Sequence, residues 1–332
     1  MKTLYFITLF CVFNGILKAQ TTDLKPSTKG ITGKTDTGYT TFKAYKDILK
    51  SHPDIPISWV IDSPTPSVLE QRNIVYGSIG DRKLQLDAFY PKKKVKKRRP
   101  AILIIHGGGW RTGNRTQHIP LAQHLAALGY VCFTAEYRLS TEALYPAAVH
   151  DLKAAIRWMR ANAKKYQIDT NRIATLGFSA GGQLSALLGN TGDNPLFEGN
   201  IGDLGHSSKV NAIVDIDGIL AYIHPESGEG DDSRSTSAAT FWFGFSKTEN
   251  TQLWQEASAL THVGANTPPT LFINSGVDRM HAGREDYRKK LADFKIYSEV
   301  QTFPNSPHSF CLFNPWFEPT VKYVADFLKK VF

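Results

Sequence analysis

The feature that most constrains the fold is a short glycine-rich segment with a serine at its centre, Gly177-Phe178-Ser179-Ala180-Gly181-Gly182. A short apolar run, residues 172–176, precedes it, and a run of helix-compatible residues, 183–188, follows it. Glycines two positions before and after Ser179 let the backbone turn tightly. The segment therefore predicts a strand, a sharp turn and a helix, with the serine hydroxyl presented beside a helix N-terminus that favours negative charge. A bland glycine-rich turn is the alternative.

The remaining chain alternates between apolar runs of strand length and helical patterns. Strands are predicted at residues 101–105, 130–135, 212–216, 270–274 and 298–302, and helices at 118–128, 147–166, 284–294 and 319–331. A hairpin around Gly80-Asp81 precedes this alternation. The pattern predicts an α/β fold: a doubly wound, mostly parallel sheet with an N-terminal antiparallel hairpin. At about residues 218–263 this alternation is interrupted by an insertion too long for a simple connection. The insertion predicts a cap over a pocket, and a solvent-facing excursion without a role in substrate binding is the alternative.

The chain begins like an exported protein. Met1-Lys2-Thr3 is a basic start, residues 4–17 are apolar but too short to span a bilayer comfortably, and Ala19 is a small residue at a plausible cleavage point. Residues 1–19 therefore predict a signal peptide and a secreted or periplasmic protein without a membrane-spanning segment after signal removal, an uncleaved anchor being the alternative. Residues 20–71 predict an extended leader containing a short helix, and the folded domain is expected at residues 72–332.

Composition and charge exclude several classes of protein. A chain with 42% hydrophobic and 21% charged residues is an ordinary globular protein. Much of its net charge of +9 sits in the run Lys92–Arg99. This run predicts a solvated loop, or weak attraction to a polyanionic substrate, and no nucleic-acid partner, because aromatic residues are not interleaved with it. Cys132 and Cys311 are expected to be buried free thiols. No His/Cys group has zinc spacing, and the acidic stretch 226–232 lacks the spacing of an EF-hand calcium site.

A nucleophilic serine needs a base that takes its proton and an acid that orients the base. His308 follows the last predicted strand, and Asp278 follows the strand at residues 270–274. Their order along the chain and their places after strands predict a triad of Ser179, His308 and Asp278.

A second glycine-rich motif, His106-Gly107-Gly108-Gly109-Trp110, closes the strand at residues 101–105. Glycines let backbone N–H groups approach a substrate without obstruction from side chains. We predict that the N–H groups of Gly108, Gly109 and Ala180 hold an oxyanion, and that His106 has a structural role in the loop.

Together with Glu136-Tyr137-Arg138-Leu139, these motifs resemble the α/β-hydrolase superfamily over about residues 72–332. The branch most similar is the carbohydrate-esterase-like group, which includes acetyl, feruloyl and pectin esterases. The resemblance implies ester hydrolysis through an acyl-enzyme, with no metal or organic cofactor. Hormone-sensitive-lipase-like enzymes share the glycine loop but usually carry an N-terminal helical cap. The insertion of this chain follows Asp217 instead, which favours the carbohydrate-esterase branch.

Residues 275–284 and the ending at 310–317 are similar to secreted pectin methylesterases of the α/β-hydrolase type. This resemblance implies that the substrate is a carbohydrate ester of the plant cell wall, namely an anionic pectic chain. It also implies that the enzyme demethylates the galacturonate esters of that chain. Arg111 and Arg279 adjoin the predicted site, and guanidinium groups recognise carboxylates bidentately. For Arg279, a surface or structural ion pair is the alternative. Candidates for stacking on sugar faces, with packing in the core or cap as the alternative, are Trp110, Trp242 and Trp316.

Two other functions stay open at this stage. An acetyl or feruloyl esterase acting on xylan or pectin would have the same fold and motifs. A catalytically inactive binding protein is a different class, against which the complete set of triad candidates argues.

Overall fold

An eight-stranded, mostly parallel sheet is the centre of the computed structural model, which describes residues 24–38, 40–192 and 194–332. The predicted signal peptide, residues 1–19, lies outside the described residues. Within the described ranges no helix is both long and apolar enough to cross a membrane. The sheet confirms the predicted α/β fold class, and a separate pair of short antiparallel strands accompanies it.

Strands and helices follow one another along the chain much as the sequence predicts. The ten strands of the described residues are β1 (Ser58–Trp59), β2 (Val68–Ile79), β3 (Arg82–Pro91), β4 (Arg99–Ile105), β5 (Val131–Ala135), β6 (Ile168–Phe178), β7 (Ala212–Ile216), β8 (Thr270–Asn274), β9 (Ser298–Thr302) and β10 (Phe313–Asn314). The α-helices are α1 (Thr41–Ser51), α2 (Ile119–Ala127), α3 (Ala147–Ala161), α4 (Ala163–Tyr166), α5 (Ala180–Asn190), α6 (Pro195–Glu198), α7 (Ala238–Phe243), α8 (Thr251–Glu256), α9 (Arg284–Asp293) and α10 (Phe317–Val331).

The order of strands across the sheet is β2-β3-β5-β4-β6-β7-β8-β9. The hairpin β2–β3 and the pair β3–β5 are antiparallel, and every pair from β5 to β9 is parallel. In the register of the central strands, Gly177 lies opposite both Ile105 and Asp215. The carboxyl ends of β4, β6 and β7 therefore meet at one edge of the sheet, where the loops after them come together.

Both faces of the parallel strands are covered, which is why these strands read as continuous apolar runs. One buried layer contains apolar residues of α3, α5 and α9, and the other contains those of α2 and α10. The segments β4, β5, β7 and β8 are almost wholly buried between them.

The N-terminal region is more structured than predicted. Ala44 and Ile48 of α1 and Ile57 belong to the second core layer, β1 pairs with β10, and β2 starts at Val68, so the ordered domain begins well before residue 72. Residues 24–38, called here the N-terminal strap, also contact the domain. Within the strap, the backbone N–H of Ser27 donates to Gly244, and those of Thr32 and Gly33 donate to Thr141. The sequence did not indicate this packing because the strap contains few large apolar residues.

The insertion between β7 and β8 carries α7 and α8 and packs on the carboxyl edge of the sheet. The basic run Lys92–Arg99 joins the end of β3 to the start of β4. It therefore lies at the edge of the sheet opposite to the glycine loop, which follows the end of β4. A seven-residue strand spans about 23 Å. The run is therefore remote from the loops at the carboxyl edge.

Candidate active site

Ser179 occupies the sharp turn between β6 and α5 that the sequence predicts. Its φ of 56° and ψ of −121° lie outside the regions that L-residues favour, as in other strained functional turns. The turn is closed by glycines, because a Cβ built on Gly177 would lie 2.0 Å from the carbonyl oxygen of Gly181. The backbone N–H of Ser179 donates to the carbonyl of Ile216 at 2.8 Å, which places the serine directly beside the end of β7.

His308 connects Ser179 to a buried carboxylate. Its Nε2 lies 2.9 Å from Ser179 Oγ, and its Nδ1 lies 2.8 Å from Asp217 Oδ2. Because a carboxylate accepts, Nδ1–H donates to Asp217 and leaves Nε2 as the acceptor for the serine hydroxyl. The second oxygen of Asp217, Oδ1, accepts from the N–H of Ser275 at 2.8 Å. Both carboxylate oxygens are therefore fixed, and the imidazole is held in the tautomer that can take a proton from Ser179.

The structure corrects the prediction that Asp278 is the acid of the triad. Asp278 is exposed and begins a 3₁₀ turn, Asp278–His281, whereas Asp217 is fully buried beside His308. The physical reason is the strand order: β7 lies next to β6, so the residue that ends β7 is already adjacent to the serine turn. The signal in the sequence was the Asp-Ile-Asp-Gly ending of an apolar strand, residues 215–218.

A second carboxyl, Asp215, lies two residues from Asp217 and is also buried. Burial raises the pKa of Asp215 well above its usual value, and the charge of Asp217 adds to the rise. Asp215 Oδ1 accepts from the N–H of Gly218 at 2.9 Å. The two side chains thus differ in their surroundings: burial favours the protonated form of Asp215, whereas Asp217 faces the imidazole of His308.

The glycine loop after β4 lies against Ser179. Gly108 and Gly109 have φ values of 122° and 56°, conformations that glycine adopts without strain. In the described part of the chain, the N–H groups of Gly108, Gly109 and Ala180 donate to no protein acceptor. Gly108 and Gly109 line a chamber together with Ser179, and their role as donors to an oxyanion stays a prediction.

Two buried imidazoles support this loop. His106 Nδ1 lies 2.8 Å from the carbonyl of Gly107 and its ring stacks on Tyr137, in keeping with the predicted structural role. Burial lowers the pKa of His106 to about 4 and that of His118 to about 3, so both rings are neutral at ordinary pH. The side chain of Gln117 accepts from the N–H of Gly107 at 2.8 Å and fixes the start of the loop.

Two chambers of different size meet at Ser179. The larger, about 310 Å³, is lined by His308, Phe178 and the strap residues Asp36 and Gly38. The smaller, about 90 Å³, lies on the side of Ala180 and is not lined by His308. Its other walls are Gly109, Trp110, Ile219, Glu229, Ala238 and Met280. We call them the wide chamber and the small chamber.

Both predicted carboxylate-binding arginines already have carboxylate partners in the protein. Arg111 borders the wide chamber, where its Nε lies 3.1 Å from Asp36 Oδ2 and its guanidinium lies 4.2 Å from the ring centre of Phe241. Arg279 is half exposed and its Nη1 lies 3.4 Å from Glu229 Oε1. Glu229 lines the small chamber, and burial raises its pKa, while the charge of Arg279 opposes the rise.

Two of the predicted stacking tryptophans are packing residues. Trp242 is fully buried and its ring lies parallel to that of Trp110, with centres 4.7 Å apart. Trp316 is buried in the core layer beside α10. Trp110 is buried as well, but its edge forms a wall of the small chamber, and its Nε1 donates to Gln183 at 3.1 Å. The sequence could not separate these cases, because tryptophan serves both purposes.

The cysteines and acidic residues form no metal site in the described ranges. Cys132 and Cys311 are free and buried. No group of three or more His, Cys, Asp or Glu side chains in those ranges could hold a metal ion. In the acidic stretch, Glu226 accepts from the N–H of Gly283, and Asp232 accepts from Ser237 and Thr240.

Known proteins that are similar to this chain include esterases, in agreement with the geometry of the site. The family model BD-FAE matches residues 86–282, more than half of the chain. Esterase LipC of Mycobacterium tuberculosis is 29% identical over 304 residues, which are 85% of this chain and 72% of that protein.

Two solved structures are similar in fold. One is a truncated carbohydrate esterase from gut microbiota, with a TM-score of 0.66 and 24% identity over 79% of this chain and 96% of that chain. The other is a bifunctional GH43-CE protein of Bacteroides eggerthii, with a TM-score of 0.66 and 25% identity over 79% of this chain but 38% of that chain. The first likeness concerns the fold alone.

Proposed function

The chain belongs to the BD-FAE family and is a carboxylic ester hydrolase with the α/β-hydrolase fold, and we propose that it removes short acyl groups, above all acetyl, from the hydroxyls of a carbohydrate. The proposal rests on one observation, the unequal size of the two chambers at Ser179. A carbohydrate as the alcohol agrees with the two similar solved structures, a carbohydrate esterase from gut microbiota and a bifunctional GH43-CE protein.

In the proposed mechanism, Ser179 Oγ attacks the ester carbonyl carbon while its proton moves to His308 Nε2. Asp217 stabilises the imidazolium that forms, and the three free N–H groups face the oxyanion. The bond from the carbonyl carbon to the sugar oxygen then breaks, and the proton on Nε2 passes to that oxygen. Water attacks the acyl-serine with His308 as base, and the carboxylic acid leaves.

The order of these steps determines which part of the ester each chamber holds. The leaving alcohol receives its proton from His308 Nε2, so the alcohol must lie in the wide chamber, which His308 lines. The acyl group then lies on the opposite side of Ser179, in the small chamber. A chamber of about 90 Å³ corresponds to a few water molecules. It suits an acetyl group and is too small for a feruloyl group or a sugar ring.

A pectin methylesterase, which the similarity of residues 275–284 and 310–317 suggests, would need the reverse arrangement. Its acyl group is a galacturonate residue of the polymer, and its alcohol is methanol. Two further observations favour the acetyl ester. Arg111 and Arg279 are paired with Asp36 and Glu229, and the Glu229 carboxyl lines the small chamber, where it would repel a galacturonate carboxylate when ionised. Export to the periplasm or the medium remains a prediction from residues 1–19.

The direct test is a product assay on acetylated xylan, feruloylated arabinoxylan and methylated galacturonan, with acetate, ferulate and methanol measured in each. We expect acetate release that is lost in Ser179→Ala. Methanol from galacturonan without acetate from xylan would overturn the proposal in favour of pectin demethylation.

The chamber assignment has its own test. Met280 lines the small chamber, so Met280→Ala should enlarge it and raise the ratio of kcat/KM for hexanoate to that for acetate among 4-nitrophenyl esters. Met159→Ala is the matched control, because Met159 is buried in α3 away from both chambers. An unchanged ratio in Met280→Ala would place the acyl group elsewhere.

A further inference from the structure

A groove continues from the wide chamber across the surface of the protein. The wide chamber shares Asp36 and Thr112 with a neighbouring depression of about 190 Å³. That depression shares Thr41, Thr116 and Gln117 with a cavity of about 450 Å³. The three spaces therefore follow one another, with Ser179 at one end. We call the two outer spaces the distal groove.

The near part of the distal groove is lined by hydroxyl and amide groups. Asp36, already paired with Arg111, is its one charged residue among those described. The uncharged polar side chains that line it are Thr35, Thr37, Thr40, Thr41, Thr112, Asn114, Thr116 and Gln117. Such a surface offers donors and acceptors at short spacing without net charge, which suits a ligand rich in neutral hydroxyl groups.

The far cavity adds an aromatic surface. Trp59 is half-buried in its wall, and the exposed ring of Phe42 lies 6.3 Å from it, centre to centre. His118 also lines the cavity. It is 2% exposed, and its Nε2 has no hydrogen-bond partner among the described residues. The Nε2 atom itself is enclosed by protein, so the cavity offers a ligand the indole of Trp59, whose edge or face packs against the apolar face of a sugar.

We propose that the distal groove binds a neutral oligosaccharide, which continues from the esterified sugar in the wide chamber to the far cavity beside Trp59. The proposal rests on the proposed function, since the alcohol side of the ester must lie toward His308. The far cavity, at about 450 Å³, is within the range of about 300–1,000 Å³ that small-molecule sites occupy. The enzyme would then recognise several sugar residues on the alcohol side and a single small acyl group on the other.

The experiment measures kcat/KM for acetylated xylo-oligosaccharides of increasing length. In the unmodified enzyme, kcat/KM for the longest substrate should be about threefold to tenfold higher than kcat/KM for the shortest. A difference of this size corresponds to one aromatic contact. Trp59→Ala should remove that gain. Because Trp59 also packs against Tyr45 and Phe313, a second variant, Thr41→Trp, blocks the groove between its two parts without removing a core residue.

The ratio of these two kcat/KM values cancels any general loss of activity, and Phe294→Ala, at an exposed aromatic residue outside the groove, should leave it unchanged. Binding of unesterified oligosaccharide to Ser179→Ala, measured by calorimetry, separates the two proposals. Binding that Thr41→Trp abolishes supports the groove even if no acetate is released by the active enzyme. Acetate release with no dependence on chain length and no binding by Ser179→Ala would overturn the groove and leave the esterase proposal intact.

Discussion

At the scale of single residues, the geometry around His308 is set by one buried carboxylate. Asp217 has a φ of 52°, an unusual conformation for a residue other than glycine, and its side chain accepts from both His308 and Ser275. Strain of this kind persists where surrounding contacts hold it, and here those contacts come from the two loops that carry Ser275 and His308. The arrangement orients the imidazole toward Ser179 without help from the exposed Asp278.

Substitution of Asp217 and of Asp278 distinguishes the roles of these two acids. Asp217→Asn should lower kcat on a short-chain 4-nitrophenyl ester on the order of 10³-fold or more, because the amide can donate to His308 Nδ1 and favour the wrong tautomer. Asp278→Asn, the matched control on the exposed turn, should change kcat by less than about twofold. Steady-state kinetics of the two purified variants measures this. A large loss in Asp278→Asn with little loss in Asp217→Asn would show that another conformation is the active one.

At the scale of elements, the turn between β6 and α5 leaves no room for side chains. A Cβ on Gly177 would meet the carbonyl of Gly181 at 2.0 Å, and one on Gly181 would meet the carbonyl of Ile105 at 2.2 Å. These neighbours are backbone atoms of α5 and β4, so they cannot move away cheaply. The glycines of this motif are therefore required by the packing of β4, β6 and α5 as well as by the turn.

Gly177→Ala should lower the free energy of unfolding by about 3 kcal/mol or more and abolish activity, because β6 and α5 must separate to admit the methyl group. Gly264→Ala is the comparison: no heavy atom lies within 4 Å of the built Cβ, and stability should change by less than about 1 kcal/mol. Urea unfolding followed by circular dichroism measures both. Equal effects of the two substitutions would contradict this account.

The sequence predicts elements well where local pattern and packing agree. Strands β7, β8 and β9 have the predicted bounds, since each is a short run covered on both faces or ended by a turn. The serine turn and His308 could also be located, because each follows a strand. The acid could not be chosen between Asp217 and Asp278, because the choice depends on which strands are neighbours. The contacts of the N-terminal strap could not be predicted either, since they use backbone groups and one ion pair.

At the scale of the whole molecule, buried ionisable groups make stability depend on pH in opposing ways. His106 and His118 resist protonation in the fold, so their contribution to stability is lost as the pH falls below 6.5 toward about 4 and about 3. Asp215 acts in the other direction. Its folded pKa is raised, so its contribution is fully present below the ordinary value of 3.8 and is lost as the pH rises from there toward the folded pKa.

Comparison of variants isolates the effect of Asp215. In Asp215→Asn the side-chain carbonyl can still accept from Gly218, but the group no longer titrates. The unfolding free energy of the variant minus that of the unmodified protein should therefore rise with pH above 3.8, by at most about 1.4 kcal/mol per pH unit, until the pH reaches the raised pKa of Asp215. Chemical denaturation across this range measures the difference. Asp54→Asn, in an exposed loop, is the control, and a flat difference for Asp215→Asn would mean that the carboxyl is ionised in the fold.

The N-terminal strap has a consequence for how enzymes of this kind can diversify. Asp36 and Gly38 form a wall of the wide chamber, yet the strap is joined to the domain by a few backbone hydrogen bonds and by the Asp36–Arg111 pair. Its residues contribute little to the core, and Ser179, His308 and Asp217 lie on other segments. Sequence drift in the strap can therefore reshape the surface offered to the alcohol at small cost in stability. A library confined to residues 24–38 would be an economical starting point for evolving new alcohol preferences in the laboratory.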